Sequence, residues 1–306
     1  MELRRAGEDM NPLGNWQGIG RVLVTGSRGM LGRELMEALG GYQRGRGGGL
    51  EVWGLDVEEL DITEAGAVER WVGEHRPGVV INCAAYTDVD GCESRRELAL
   101  AVNGAGPGNL AGACARVGAL LVHLSTDFVF DGQDDRPYRE GDEPRPVSVY
   151  GASKLAGEEA VRERWGEHLI VRVSWLFGRH GKNFVGTIRR LAREREYLEV
   201  VNDQVGSPTY TGDLVEALGH LVGVGARGTV HFRNEGSCSW YEFACEIVRQ
   251  SGLATAVRPI TSGQLKRAAR RPAWSVLDIS RYKELTGQGV RPWQEALAAY
   301  LSAPEA

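Results

Sequence analysis

The sequence predicts an α/β protein built on a doubly wound parallel sheet, and three observations support this prediction. From residue 21 onward, short apolar runs alternate with helical patterns. These runs are rich in β-branched residues and nearly all apolar, as strands buried on both faces are. A glycine-rich turn separates the first run from the first helical pattern. Strand followed by helix, repeated along a chain, is typical of a parallel sheet covered on both faces.

The predicted elements follow one another along the chain. Strands are expected at residues 21–25, 51–55, 78–84, 119–125, 169–174, 197–201 and 229–232. Helices are expected between them, at about residues 30–39, 63–74, 94–117, 151–165, 184–195 and 211–223. The glycine-rich stretch 40–49 is predicted to be a flexible loop.

The alternation loosens after about residue 227, which predicts a smaller C-terminal α/β lobe. A cleft between such a lobe and the carboxyl edge of the sheet is a usual ligand site, so the lobe is expected to bind substrate. The predicted parts are a tail at 1–20, a sheet domain at 21–178 with 197–226, and a substrate-binding lobe at 179–196 with 227–306.

Composition excludes several classes of protein. The 306 residues are 25% charged and 42% hydrophobic, with a net charge of -5, as in ordinary soluble globular proteins and without the basic footprint of a nucleic-acid binder. No apolar run approaches the ~20 residues that span a bilayer, and the N-terminus has no apolar secretory core. The five cysteines include no CxxC pair, which argues against a disulfide framework or a zinc site. We therefore expect a cytoplasmic protein with no nucleic-acid or membrane partner.

The turn "TGSRGMLG" places Gly26, Gly29 and Gly32 directly after the first strand and at the start of the first helix. Glycines there permit a tight turn and let the backbone approach a pyrophosphate, while the helix N-terminus supplies free N–H groups. The turn predicts a Rossmann-like dinucleotide site. Asp56, at the end of the second strand, favours NAD by accepting from the adenosine ribose, whereas Arg28 favours NADP by meeting a 2′-phosphate, so the choice stays open.

The stretch "SVYGASKLAGEEA" places Tyr150 four residues before Lys154 on one helix face. A lysine ammonium beside a phenol lowers its pKa and lets it pass a proton to a carbonyl oxygen. The alternative is an exposed pair on a surface helix. Ser125 and Thr126, at the end of the apolar run "ALLVHLS", favour the catalytic interpretation because a hydroxyl there can bind the same oxygen.

The ordered set of motifs resembles that of extended short-chain dehydrogenases/reductases, and specifically the dTDP-4-dehydrorhamnose reductase family. After the glycine turn come "NCAAYTDVD", "AVN", "STDFVFDG", "YGASKLAGE", "SWLFG", "DQVGSPTYTGDL" and "RRPAWSVLD", and the similarity covers about residues 21–300. The resemblance implies NADPH- or NADH-dependent reduction of the C4 keto group of dTDP-4-dehydro-L-rhamnose. A small-molecule dTDP-sugar would then be the substrate, and the product would be dTDP-L-rhamnose.

The resemblance also implies roles for individual residues. Thr126 matches the catalytic hydroxyl, Tyr150 the proton donor, and Lys154 the residue that binds the nicotinamide ribose and tunes the tyrosine. Further cofactor contacts are implied for Arg28, Met30, Leu31, Asp61, Ile62, Ala84, Ala85, Tyr86 and Asn103. Further substrate contacts are implied for Asp127, Trp175, Gln204, Ser207 and Arg271. Outside that ordered context, packing, turns and an exposed arginine account for these positions equally well.

Related functions differ at identifiable positions. Sugar-nucleotide 4,6-dehydratases have an acid where this chain has Phe128, while a 4-epimerase would keep the Tyr-Lys pair. A close non-catalytic relative, the regulatory β subunit of methionine adenosyltransferase, leaves a binding role as an alternative. The resemblance also implies a homodimer with interfacial Mg²⁺ in some members. Glu34 matches one metal ligand, but Asp213 stands where another glutamate is expected, which counts against the metal and that dimer.

Overall fold

The computed structural model describes residues 19–45 and 49–303, so residues 1–18 of the predicted tail lie outside the described part. Strands β1 to β12 occupy Arg21–Thr25, Glu51–Leu55, Val79–Asn82, Leu120–Thr126, His168–Val173, Leu176–Phe177, Tyr197–Val201, Val205–Gly206, Thr209–Tyr210, Gly228–Phe232, Cys238–Ser239 and Ala256–Ile260. Helices α1 to α11 occupy Met30–Gly45, Ala65–His75, Val89–Ser94, Arg96–Ala99, Gly106–Val117, Val149–Arg164, Phe184–Glu194, Thr211–Gly223, Trp240–Gln250, Ser280–Thr286 and Trp293–Ser302.

A six-stranded parallel sheet in the order β10-β5-β4-β3-β1-β2 forms the centre of the molecule. The predicted fold class is confirmed. β1 lies between β2 and β3, so the connection from β2 crosses over β1 and the direction of winding reverses there. Crevices at such a reversal, outside the carboxyl ends of the strands, are where open α/β sheets bind ligands.

Helices cover both faces of the sheet because alternate strand residues point to opposite sides. In β1, Val22 and Val24 face a core shared with α1, α8 and α10, while Leu23 faces a core shared with α2, α5 and α6. Each of these side chains has no exposed surface. The sheet is therefore buried on both sides, as the apolar runs predict.

The second lobe has its own core of apolar and aromatic residues from α7, α9, α11 and the short strands between them. Two strands lie elsewhere than the sequence predicts. β7, placed in the sheet domain, pairs in parallel with β12 of the lobe, and β10, placed in the lobe, pairs with β5 as the sixth strand of the sheet. Both are five-residue strands that mix apolar and polar residues, and their composition does not encode which partner they find.

The helix predicted at 94–117 is interrupted. α3 and α4 are short, a π-helical turn follows at Leu100–Ala105, and α5 then continues to Val117. π-helical turns inside helices are often found at functional sites. In the described residues, no helix combines the length and apolarity that crossing a membrane requires.

Candidate active site

The glycine turn packs directly on the backbone that follows β3. Gly26 has a φ of +66°, and a Cβ built there would lie 2.6 Å from the nitrogen of Ala84. A Cβ on Gly32 would lie 2.2 Å from the carbonyl oxygen of Gly26. Side chains at either position would force the turn open. The close backbone turn at the start of α1 fits a dinucleotide pyrophosphate, which needs bare N–H groups at a helix N-terminus.

A row of three polar side chains crosses the sheet beneath this turn. Thr25 Oγ1 donates to Asn82 Oδ1 at 2.8 Å, and Asn82 Nδ2 lies 3.0 Å from His123 Nδ1. Asn82 Oδ1 also accepts from the nitrogen of Ala84 at 3.1 Å, which fixes the start of the β3 loop. Burial and the nearby Lys154 charge hold the pKa of His123 well below its usual range, so the imidazole is neutral. Sequence reasoning missed this row, although Thr25 and Asn82 end otherwise apolar strands and His123 interrupts the apolar run of β4.

The end of the crevice where the sequence predicts the adenosine lies between the glycine turn and the end of β2. Asp56 Oδ2 accepts from the backbone nitrogen of Arg28 at 2.9 Å, which ties the two loops together. Asp61 Oδ1 accepts from the nitrogen and the hydroxyl of Thr63, so this carboxylate shapes its own turn. Ile62 is buried in the core with α2 and α5. The Asp61 side chain therefore holds the turn through Thr63, and Ile62 anchors that turn to the core.

Asn103, in the π-helical turn, bridges the β3 loop and α6. Its Oδ1 accepts from the nitrogen of Tyr86 at 2.8 Å, and its Nδ2 donates to the carbonyl oxygen of Tyr86 and to Ser153 Oγ, both at 3.0 Å. Ser153 Oγ in turn donates to the carbonyl oxygen of Tyr150 at 2.8 Å. Asn103 has no exposed surface. Its amide therefore fixes the loop of Ala85 and Tyr86 against the helix that carries the tyrosine.

Thr126, Tyr150 and Lys154 converge where β4 meets the first turn of α6. The Thr126 hydroxyl lies close enough to the Tyr150 phenol to lower its pKa. Thr126 Oγ1 also donates to Asp127 Oδ1 at 3.0 Å and accepts from the nitrogen of Phe128 at 3.2 Å. Lys154, which is 3% exposed, donates from Nζ to the carbonyl oxygen of Leu124 at 2.6 Å. The structure thus brings together the three residues that the sequence marks as catalytic.

The protonation states here suit a proton donor. Burial raises the pKa of Tyr150 well above its usual range, the nearby Thr126 hydroxyl lowers it in part, and the Asp127 charge raises it further. This direction is opposite to the lowered pKa that the Tyr-Lys spacing predicts, because burial is the largest effect on the phenol. Burial lowers the pKa of Lys154 to about 8, against an opposing effect of Glu158. At neutral pH Tyr150 therefore holds its proton and most of Lys154 is charged.

Comparison with known proteins shows the family to which the chain belongs. The family model described as "RmlD substrate binding domain" matches residues 20–305. A dTDP-4-dehydrorhamnose reductase from Streptomyces griseus is 47% identical over 284 residues, covering 90% of this chain and 91% of that protein. The chain belongs to the dTDP-4-dehydrorhamnose reductase family.

Further relatives extend this result. The structure of dTDP-4-dehydrorhamnose reductase from Bacillus anthracis str. Ames, in complex with NADP, is 41% identical and superposes with a TM-score of 0.88, covering 92% of this chain and 98% of that one. A dTDP-4-keto-6-deoxy-D-glucose reductase from Streptomyces niveus is 40% identical over 279 residues, covering 90% of this chain and 95% of that protein. The predicted resemblance is confirmed.

In this member of the reductase family, Ser125 faces away from the partners of Thr126. Its Oγ donates to Glu158 Oε1 at 2.5 Å. Glu158 is fully buried and also accepts from Arg172 Nε at 2.8 Å, Arg172 Nη2 at 2.7 Å and Arg162 Nη2 at 2.6 Å. Of the two hydroxyls that the sequence offers, only Thr126 joins Tyr150. Glu158 could have been noticed from the sequence, since it follows Lys154 by four residues on the same helix face.

Phe128 stands at the position where the sequence resemblance predicts an acid in dehydratases, and its ring meets the Tyr150 ring edge-on with centroids 5.6 Å apart. An apolar ring here supplies no acid or base. The adjacent Asp127 is 1% exposed, and burial raises its pKa to about 7. The neighbouring hydroxyls of Ser275 and Thr126 oppose this shift in the pKa of Asp127. A carboxyl that is partly protonated at neutral pH therefore lies beside Thr126 and Tyr150.

Trp175 adopts a left-handed conformation with a φ of +46°, which is uncommon for a bulky residue. Its indole stacks on Trp240 of the second lobe with ring centroids 3.5 Å apart and planes 7° apart. It also lies over Gly206, where a Cβ would come within 2.4 Å of the ring. Residues held in such strained conformations cluster at functional sites, and the partly buried indole packs on the core of the second lobe.

Two predicted sugar contacts have partners inside the lobe. Gln204 Nε2 donates to Ser262 Oγ at 2.7 Å. Ser207 has no exposed surface, and its Oγ donates to the carbonyl oxygen of Gly236 at 2.9 Å. The structure therefore places Ser207 behind the wall of the cleft, where it holds the loop after β8.

Arg271 reaches from the second lobe to α3 of the sheet domain. Its Nη1 and Nη2 donate to Asp90 Oδ1 and Oδ2 at 3.1 and 2.8 Å. The Arg271 guanidinium is the main reason that the pKa of Asp90 falls to about 2. The arginine is thus fixed across the cleft rather than solvated in the basic run that the sequence shows.

The glutamate that the family resemblance suggests for Mg²⁺ is engaged by an arginine. Glu34 Oε1 accepts from Arg179 Nη2 at 2.7 Å, and Asp213 pairs with Arg291 and with Asn234 Nδ2. Within residues 19–45 and 49–303, no three acidic, histidine or cysteine side chains group as metal ligands do. These residues do not fit a bound Mg²⁺, since each carboxylate already faces a guanidinium.

Proposed function

We propose that this protein reduces the C4 keto group of dTDP-4-dehydro-L-rhamnose to dTDP-L-rhamnose with NADH or NADPH. The observation that carries the proposal is the convergence of the Thr126 hydroxyl on the buried Tyr150 phenol, with Lys154 one helical turn beyond the tyrosine. Two hydroxyls that meet in this way can hold one carbonyl oxygen between them. The names of the Streptomyces relatives, which reduce dTDP-4-keto sugars, support the class of substrate.

Each residue has a defined part in the reaction. The bound nicotinamide cofactor supplies the hydride that forms the new C4–H bond. Tyr150 gives its phenolic proton to the C4 oxygen, so the carbonyl becomes a hydroxyl and the tyrosine becomes a phenolate. Thr126 orients that oxygen by hydrogen bonding. The Lys154 ammonium stabilises the phenolate by its charge, and solvent returns the proton.

The cofactor would lie along the carboxyl edge of the sheet. The glycine turn from Gly26 to Gly32 presents N–H groups to the pyrophosphate, and Asp56 faces the adenosine ribose. The backbone from Ala84 to Tyr86, fixed by Asn82 and Asn103, would support the central riboses. Lys154 would bind the nicotinamide ribose.

The test is NAD(P)H oxidation by the purified protein with dTDP-4-dehydro-L-rhamnose. Tyr150→Phe is expected to lose about 10² to 10⁴-fold in kcat, the usual contribution of a positioned acid, while its cofactor Kd stays within about twofold. Tyr197→Phe, at a half-exposed tyrosine of the second lobe, is the matched control and should keep full activity. Unchanged turnover in Tyr150→Phe would sink the proposal.

A second candidate is reduction of dTDP-4-keto-6-deoxy-D-glucose, which the Streptomyces niveus relative favours. A panel of 4-keto sugar nucleotides separates the two by kcat/KM. Dehydration is disfavoured because Phe128 covers Tyr150 where an acid would be needed. Cofactor binding without reduction of any sugar nucleotide would instead support a regulatory role.

A homodimer stays a prediction, which light scattering during gel filtration tests.

A further inference from the structure

Arg28 is engaged by two carboxylates at the adenosine end of the crevice. Its Nη1 donates to Glu58 Oε2 at 2.6 Å, and its Nη2 donates to Glu59 Oε1. Glu59 Oε2 also accepts from the nitrogen of Asp56 at 3.0 Å, which fixes the carboxylate over the end of β2. The arginine that the sequence offers for a 2′-phosphate is therefore already paired on both terminal nitrogens.

Asp56 is anchored differently. Its Oδ2 accepts from the nitrogen of Arg28 and its Oδ1 from the nitrogen of Val57, both at 2.9 Å. Because an ionised carboxylate has about four acceptor sites, each oxygen can still accept a hydroxyl hydrogen. In dinucleotide folds the acidic residue at this strand end accepts from the ribose 2′-hydroxyl of NAD, whereas NADP needs a nearby free arginine.

The local charge opposes a 2′-phosphate. Arg28 contacts three carboxylates: those of Glu58 and Glu59 pair with its guanidinium, and that of Asp56 accepts from its backbone nitrogen. The next cation, Arg33, is on α1 and donates from Nε to the carbonyl oxygen of Arg28 at 3.0 Å. Counting these five groups gives three negative and two positive charges. A phosphate would add about two negative charges, whereas a ribose hydroxyl adds none.

We propose that this chain prefers NADH to NADPH, and that Glu58 and Glu59 set the preference by withholding Arg28 from the 2′-phosphate. The inference deepens the proposed reductase function, and its turnover measurements rest on that function. The measurement of direct NAD⁺ and NADP⁺ binding does not rest on that function, because it requires no sugar reduction. Because the ion pairs are solvent-exposed, with side-chain exposures of 53% for Arg28 and 66% for Glu58, salt screening weakens them and the preference narrows as ionic strength rises.

The first measurement is the Kd of NAD⁺ and NADP⁺ by calorimetry, together with kcat/KM for NADH and NADPH. The wild type is expected to favour the cofactor without the 2′-phosphate by about tenfold or more, both in Kd and in kcat/KM. One favourable charged contact is worth about that factor. A ratio near one, or a preference for NADP⁺, overturns the proposal. Selective NAD⁺ binding without sugar reduction would leave the selectivity intact while the proposed reaction fails.

The second measurement uses the double variant Glu58→Gln/Glu59→Gln, which frees Arg28 without removing the side chains. NADP⁺ affinity is expected to rise at least fivefold, while NAD⁺ affinity stays within about twofold. Adding Arg28→Ala to that variant should abolish the gain. Glu69→Gln is the control, since Glu69 forms a similarly exposed pair with Arg116 away from the turn. An unchanged NADP⁺ affinity in the double variant overturns the assignment of Glu58 and Glu59.

Discussion

Glu158 Oε2 accepts from Arg172 Nη2 at 2.7 Å between two side chains that are at most 1% exposed. The pair joins α6, which carries Tyr150 and Lys154, to β5 of the sheet. Ser125 Oγ reaches the same carboxylate from β4. The helix and the strand end that supply the proposed catalytic groups are thus connected through one buried charge next to Thr126.

Removing the charge of Glu158 should destabilise the fold. Glu158→Gln leaves the Arg172 guanidinium buried with one neutral acceptor, and breaking a buried pair in this way costs about 3–5 kcal/mol. Urea denaturation should show that loss in the free energy of unfolding. Glu159→Gln, one residue on and exposed, should change it by less than about 0.5 kcal/mol. Equal effects of the two substitutions would contradict a structural role for the buried pair.

Cofactor binding should weaken as pH rises through about 8. Lys154 has a pKa of about 8 because burial disfavours its ammonium, so the charge facing the ribose is lost above that pH. The Kd of NAD⁺ for Tyr150→Phe, measured by fluorescence from pH 6 to 10, isolates binding from turnover. Adding Lys154→Arg should remove the step, since guanidinium stays charged throughout. A step that persists in the arginine variant would assign the titration to another group.

Asp127 should make a stability contribution that declines with increasing pH. Burial raises the pKa of this carboxyl from 3.8 to about 7 in the folded state, so the native protein binds more protons than the unfolded chain between these values. Stability then falls as pH rises from about 4 to 7. Asp127→Asn mimics the neutral carboxyl and does not titrate. The unfolding free energy of the wild type minus that of the variant should be larger at pH 5 than at pH 8, and a flat difference would refute the shift.

Arg271 should act on the sugar nucleotide rather than on the cofactor. Arg271→Lys keeps the charge but loses the planar, bidentate geometry with Asp90, and we expect the KM of the sugar nucleotide to rise about tenfold. The KM of the nicotinamide cofactor should stay within twofold. Arg267→Lys, at the exposed arginine 3.9 Å from the same carboxylate, should change neither constant. A rise in both constants for Arg271→Lys would indicate a general disturbance of the cleft.

The parts of the site that depend on spacing within one segment could be predicted from the sequence. The glycine turn and the Tyr150–Lys154 pair are of this kind, because local backbone geometry sets their arrangement. The sequence could not predict whether Ser125 or Thr126 lies next to the tyrosine. Neighbouring strand residues point to different surroundings, and these surroundings depend on the packing of the whole fold. The partners of Arg28 come from a separate loop, so its pairing with Glu58 and Glu59 was equally hidden.

The fold shows the same difference between features set by local sequence and features set by distant contacts. Alternating strands and helices predict a parallel sheet, but β7 and β10 are short strands of mixed apolar and polar residues that fit either lobe. Their partners depend on distant contacts, which no pattern within the strand records. The direction of the Tyr150 pKa shift likewise depends on burial at the tertiary level, which the helical spacing does not contain.

The exchange of β7 and β10 between the expected lobes has a consequence for engineering. The chain enters the second lobe after β5, returns to the sheet domain at α8 and β10, and enters the lobe again at β11. The lobe therefore cannot be transferred to another protein as one contiguous segment. Grafting a new sugar specificity onto this scaffold by exchanging one contiguous segment would carry away an edge strand of the sheet, so specificity has to be changed one side chain at a time.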